Sequence, residues 1–274
     1  MTYQELWHPL VPIYGEREAR AVAMWLLEVS FALSRTSVMC GAVDQLSDAD
    51  AERLQSMMNR LLNGEPVQYV AGVADFGPRQ FRVAPGVLIP RPETYELCQW
   101  VMETAPCGAL LDIGTGSGCI ATTLALDMKG VQVTAWDVSA QALQIAAENS
   151  RRLGGSVCLE QQDALSPPDD EARWKVIVSN PPYICENEKA DMERHVLDYE
   201  PSLALFVPDD DPLRFYHAIG SYALKALDSD GQLFFELNAM YAQETKTLLE
   251  KTGFGNVTLR EDQFGRTRFL KATK

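Results

Sequence analysis

The sequence predicts an α/β fold in which a mostly parallel sheet, covered by helices on both faces, follows a small N-terminal helical unit. Three observations carry this reading. From Thr94 onward the pattern cycles through helix, apolar strand, glycine-rich turn and helix. The runs ALLDIG, VQVTAWD, WKVIVSN and GQLFFEL are short and apolar, as strands buried on both faces are. The first 70 residues instead place apolar side chains at three- and four-residue spacings.

Taken in order, the segment from Gly15 to Arg35 sets Val22, Trp25, Leu26, Val29 and Leu33 on one face of a helix. Ser47 is a good N-cap, with Asp50 three residues on, for a second helix carrying Leu54, Met57, Met58, Leu61 and Leu62 until NGEP stops it. Residues 71–92, rich in Gly, Pro, Val and Phe, suit a hairpin or connector, and 93–274 form the α/β domain. The tail VTLREDQFGRTRFLKAT reads as a closing antiparallel pair, and SPPDDEAR and VPDDDP as acidic surface loops.

Composition narrows the function. At 274 residues and 46% hydrophobic content the chain can bury a large core. It has no run of eighteen apolar residues, and MTYQELWHPL lacks the layout of a secretion signal, so no membrane is expected and the cytoplasm is the default. Six cysteines without a C-x-x-C pair and three histidines suit neither a zinc site nor a disulfide framework, so no metal is expected and the thiols are read as mostly packed. A net charge of −14, with no basic run, disfavours a protein that grips a phosphate backbone.

Two motifs carry chemistry. In LLDIGTGSGCIAT a buried strand turns through Gly114, Thr115, Gly116, Ser117 and Gly118 into a helix, and glycines there let a ligand approach the backbone. A dinucleotide-binding turn is a relative of this one, and Asp112, two residues before the first glycine, is what separates them. Asp-x-Gly-x-Gly-x-Gly resembles the first motif of S-adenosylmethionine-dependent methyltransferases. Asp137, ending the next strand, can accept bonds from ribose hydroxyls, or else cap the following helix, for which Ser139 is better suited. Asp163 and Ala164, at the end of the third strand, are where methyltransferases of this fold read the adenine amino group.

The second motif, VIVSNPPYIC, ends a buried strand on Asn180, Pro181, Pro182 and Tyr183. A planar NH2 group is a poor nucleophile, so methylating it depends on positioning. The Asn180 side-chain oxygen and the Pro181 carbonyl can each accept one of its N–H bonds, and they match it better as positive charge develops on nitrogen. The prolines fix the carbonyl direction, and Tyr183 can lie against the flat group.

Together these motifs, with GEPVQYVAGVADF, VLIPRPET and YEPSLAL, resemble the HemK/PrmC family, which methylates the glutamine of the Gly-Gly-Gln motif in peptide-chain release factors. The resemblance implies a Rossmann-like class I methyltransferase domain with a seven-stranded sheet, S-adenosylmethionine as cofactor, and a helical unit (residues 1–70) that helps hold the release factor. It implies cofactor contacts from Asp112, residues 114–118, Asp137, Asp163, Ala164 and Asn180, a substrate site at residues 180–183, and Arg91 and Glu93 shaping the wall. The chain departs from the family pattern at Tyr95 after PET, at Ala164 where an aromatic is common, and at Glu236-Leu237-Asn238 where Glu-Ile-Gly is common. Two alternatives stay open: methylation of an exocyclic amine of adenine or guanine, and a non-catalytic adaptor of the translation machinery.

Overall fold

A computed structural model describes every residue except Asp170 and Ala172. The chain forms two compact units, Met1–Val73 with Glu193–Tyr199, and Ala74–Met192 with Glu200–Lys274.

The first unit is built on α1 (Glu16–Phe31) and α2 (Asp48–Leu62), joined by short helical turns. Helix α1 is shorter than its apolar spacing predicts. Ala32 adopts a left-handed conformation at φ 55°, and Ser34 then starts a new turn by accepting the Ser37 amide, which leaves Leu33 off the helix. Helix α2 begins as expected, with Ser47 Oγ accepting the Asp50 N–H at 3.1 Å. Leu10, Leu26, Leu27, Leu54, Met58 and Leu61 share one buried cluster. Truncating one of these leucines to alanine costs about 2–5 kcal/mol. Leu62, one residue past the buried face, is 40% exposed.

The second unit begins one residue into β1 (Val73–Phe76), which forms a two-stranded sheet with β2 (Arg79–Arg82) and is followed by α3 (Pro92–Thr104). Residues 71–92 therefore include packed structure: Phe76 and Phe81 meet edge to face at 5.7 Å and are buried with Leu97 and Cys98 of α3. Tyr95 covers this hairpin. Its ring meets Phe76 at 5.4 Å and lies where a side chain on Gly77 would be, so the departure after PET has a packing role.

The main sheet follows: β3 (Ala109–Ile113), α4 (Cys119–Asp127), β4 (Gln132–Asp137), α5 (Ala140–Leu153), β5 (Val157–Gln161) and β6 (Trp174–Ser179). The short β7 (Ile184–Cys185) and β8 (Phe206–Val207) pair with each other. Then come α6 (Arg214–Ala226), β9 (Leu227–Glu236), α7 (Ala242–Thr252), β10 (Gly255–Glu261) and β11 (Thr267–Thr273). The strand order is β10-β11-β9-β6-β3-β4-β5; β11 is antiparallel to both its neighbours, and the other pairings are parallel. Seven strands and a closing antiparallel pair match the expectation.

Alternation along the strands fills two layers. Leu111, Ile177, Leu233 and Phe235 join one core, while Leu110, Val176, Val178 and Phe234 join the other. The chain winds from β3 outward to β5 and then returns to the opposite side of β3 as β6. That reversal opens a crevice at the C-terminal ends of β3 and β6. Among the described residues no helix is long and apolar enough to cross a membrane. All six cysteines are free; Cys98, Cys119 and Cys185 are buried, and Cys40, Cys107 and Cys158 are exposed.

Candidate active site

The glycine turn is held from below. Asp112 is fully buried, and its Oδ2 accepts from Thr115 Oγ1 at 2.6 Å and from the Ala121 N–H at 3.2 Å, tying the turn to the first helical turn of α4. Its Oδ1 finds no partner among the described residues, and burial raises the carboxyl to about 7. The N–H groups of Gly114 and Thr115 both reach the Trp136 carbonyl at 2.9 Å. The glycines divide the work. Gly114 and Gly116 have positive φ and line a cavity of about 380 Å³, whereas a Cβ on Gly118 would sit 2.9 Å from that of Ala146 on α5. Gly118 therefore lets two helices approach, and Asp112, Thr115, Ser117 and Gly118 lie off the cavity wall.

Asp137 is on the wall. Its Oδ2 accepts the Gly116 N–H and its Oδ1 the Ser139 N–H, each at 2.8 Å, and burial raises its pKa. Each oxygen keeps acceptor capacity for a ligand. The helix cap goes to Ser139, whose Oγ accepts the Ala142 N–H. Asp163 and Ala164 also line the cavity, with Asp163 Oδ1 accepting the Leu165 N–H at 2.8 Å and Ala164 packed against the core. The wall also includes Val87, Leu88, Pro201 and Phe215.

Asn180, Pro181 and Pro182 reach the same cavity. Asn180 Nδ2 donates to Thr94 Oγ1 at 3.2 Å, Thr94 Oγ1 donates to Glu236 Oε2 at 2.6 Å, and Tyr183 OH donates to Glu236 Oε1 at 3.0 Å. Burial raises the Glu236 pKa, opposed by the Thr94 and Tyr183 bonds and by Arg268. Tyr183 is not on the cavity wall. Its ring packs against the core, its phenol is committed to Glu236, and its carbonyl accepts from Asn238 Nδ2 at 3.1 Å. Asn238 also donates to Glu188 Oε1 at 2.9 Å, an anchoring contact that glycine at this position cannot make. No group of three or more His, Cys, Asp or Glu suited to a metal occurs among the described residues.

A release factor glutamine methyltransferase from Bacteroides thetaiotaomicron is 42% identical over 267 residues, covering 97% of this chain and 96% of that protein. The chain belongs to the release factor glutamine methyltransferase family. A second such relative, from Flavobacterium psychrophilum, is 37% identical over 96% of this chain and 94% of its own length. The PrmC N-terminal domain matches residues 14–72, and the methyltransferase small domain matches 96–197. A solved methyltransferase from Pyrococcus furiosus superposes with a TM-score of 0.52 at 20% identity over 71% of this chain and 88% of its own, a likeness of fold.

Sequence reasoning missed three residues of this family member's site. Thr94 was visible only as the last letter of IPRPET, Glu236 only as part of a variant motif, and Glu200 only within YEPSLAL. No spacing rule links Thr94 to Asn180, 86 residues away, because strand order brings them together. Neither Arg91 nor Glu93 lines the cavity: Arg91 is ion-paired with Glu200, and Glu93 sits in the first turn of α3.

Proposed function

We propose that the protein transfers a methyl group from S-adenosylmethionine to the side-chain amide nitrogen of the Gly-Gly-Gln glutamine of a peptide-chain release factor. One observation carries the reading: Asn180, Pro181 and Pro182 stand on the wall of the same cavity as Gly114, Gly116 and Asp137, at the reversal of strand order. The family relationship supports the choice of substrate.

The residues present fit the cofactor. The cavity lies in the range of small-ligand sites. Gly114 and Gly116 have nothing within 4 Å of a built Cβ, so side chains there would take ligand space. Asp137 would hold the ribose hydroxyls, the backbone of Gly114 and Gly116 would face the amino-acid tail, and Asp163 with Ala164 would border the adenine. When bound, S-adenosylmethionine supplies an electrophilic methyl carbon on a sulfonium.

The chain's own work is to present a weak nucleophile. With Asn180 Nδ2 committed to Thr94, Oδ1 is its acceptor for the substrate N–H, and the Pro181 carbonyl is the second. Two acceptors fix the plane of the glutamine amide and favour the charge that develops on its nitrogen, which is differential binding of the transition state. Thr115, Ser117, Gly118 and Asp112 act beneath the turn to keep its shape. Tyr183 acts from behind, bracing the loop that carries the acceptors. The helical unit of residues 1–70 would grip the release factor, and the cytoplasm, where translation ends, is where the pair would meet.

The test is transfer of labelled methyl from S-adenosylmethionine to purified release factor, with duplex DNA in parallel. Labelling of the release factor at glutamine is expected; labelling confined to DNA would transfer the assignment to a base amine.

A further inference from the structure

We infer that Thr94 and Glu236 are positioning residues that decide which end of the Asn180 carboxamide faces the cavity. The inference rests on the role given to Asn180 above and extends it. An asparagine side chain is a donor at one end and an acceptor at the other, and a half-turn of its last torsion exchanges them with almost no change of shape. For a substrate NH2 group the two ends are opposites: Oδ1 accepts its proton, whereas Nδ2 presents a second donor to it. Nothing within Asn180 itself selects the productive end.

The selection comes from behind. In its carboxylate form Glu236 can only accept, and it lies within bonding distance of two hydroxyls, Thr94 at 2.6 Å and Tyr183 at 3.0 Å. Both hydroxyl protons therefore point at Glu236. The Thr94 oxygen, its one proton spent, is left as an acceptor, and only the NH2 end of Asn180 can meet it at 3.2 Å. Thr94 is 3% exposed and Glu236 2%, so bulk water does not compete for these bonds. Burial raises the Glu236 pKa, while the Thr94 and Tyr183 bonds and Arg268 draw it back toward its charged form and Glu93 opposes them. The polarity of the relay is fixed from Glu236 outward, and it turns the acceptor end of Asn180 away from Thr94.

The two variants that test this are Thr94→Val, which keeps the shape and loses the hydroxyl, and Thr94→Ser, which keeps the hydroxyl. With saturating cofactor and release factor, Thr94→Val should lower kcat about tenfold or more while S-adenosylmethionine Kd stays within about threefold, and Thr94→Ser should recover most of the loss. A residue that served only the fold would lower Tm and leave kcat per folded molecule unchanged. The second readout needs no variant and no turnover: the assigned Asn180 side-chain NH2 protons should exchange with solvent at least about tenfold more slowly in the wild type than in a free asparagine, a protection reflecting a hydrogen bond of about 1.4 kcal/mol. Wild-type kcat in Thr94→Val, or free exchange at Asn180 in the wild type, would overturn the inference. Should the wild type fail to methylate a release factor, the proposed reaction falls, and the exchange rates still decide the relay.

Discussion

Arg91 Nη2 donates to Glu200 Oε1 at 2.5 Å, joining residues 109 positions apart that each lie close in sequence to cavity-lining residues. Glu200 Oε2 accepts the Ile89 N–H at 3.1 Å. Val87 and Leu88 precede one partner, and Pro201, Leu203 and Ala204 follow the other. The Glu200 side chain is 1% exposed and that of Arg91 36%. Arg91→Met therefore strands a buried carboxylate, at a cost on the order of 3 kcal/mol, the low end of the range because water reaches the guanidinium. Glu200→Gln should cost less. Urea denaturation of both variants measures the order, and equal losses would refute it.

In the proposed reaction Asn180→Ala removes one of two acceptors for the substrate amide. The expected result is a fall in kcat of about 10²–10³, with S-adenosylmethionine affinity changed only a few-fold. Single-turnover methyl transfer and calorimetric titration separate the two quantities. A variant with near-normal turnover would remove Asn180 from the chemistry.

Gly118→Ala forces a Cβ to 2.9 Å from the Cβ of Ala146, at a residue with φ of 78°. The expected destabilisation is about 1–3 kcal/mol. Pairing it with Ala146→Gly should relieve the steric part alone, so the double variant is more stable than the sum of the singles predicts. Additive thermal shifts would place the strain elsewhere.

Asp112 links stability to pH. Its carboxyl is held at about 7 in the folded protein against an ordinary 3.8, so between those values the folded state keeps a proton that the unfolded state has lost. The Asp112 contribution is present below pH about 4 and is lost as the pH rises toward 7. Asp112→Asn should flatten this slope in the ligand-free protein, measured by denaturant unfolding at several pH values. A slope identical to that of the wild type would show that Asp112 does not carry it.

Much of this architecture was legible because strand burial and helix amphipathicity write periodic patterns. The runs at residues 109–113, 132–137 and 174–179 all became central strands. Strand β9 began at Leu227, before the apolar run, because its first residues pair beside Trp174, and no periodicity marks that irregular start. The grouping of Glu193–Tyr199 with the N-terminal unit was equally invisible, since only contacts made in three dimensions, such as Tyr199 OH to the Asn63 carbonyl, express it. In the site, Asn180 and Asp137 could be read as ends of strands. Thr94 and Glu236 could not, because the role inferred for them depends on which of them donates a proton and which accepts it, a property of neighbours that a linear pattern does not encode.

Tyr183 is held at both extremes, by Glu236, the last residue of β9, at the phenol and by Asn238, two residues beyond the strand, at the carbonyl. The acceptor loop is thus suspended from side chains at and just beyond the end of a neighbouring strand, outside the ladder of the sheet. An engineer wishing to admit a bulkier nucleophile could retune that suspension at Asn238 and Glu188 and leave the hydrophobic layers untouched.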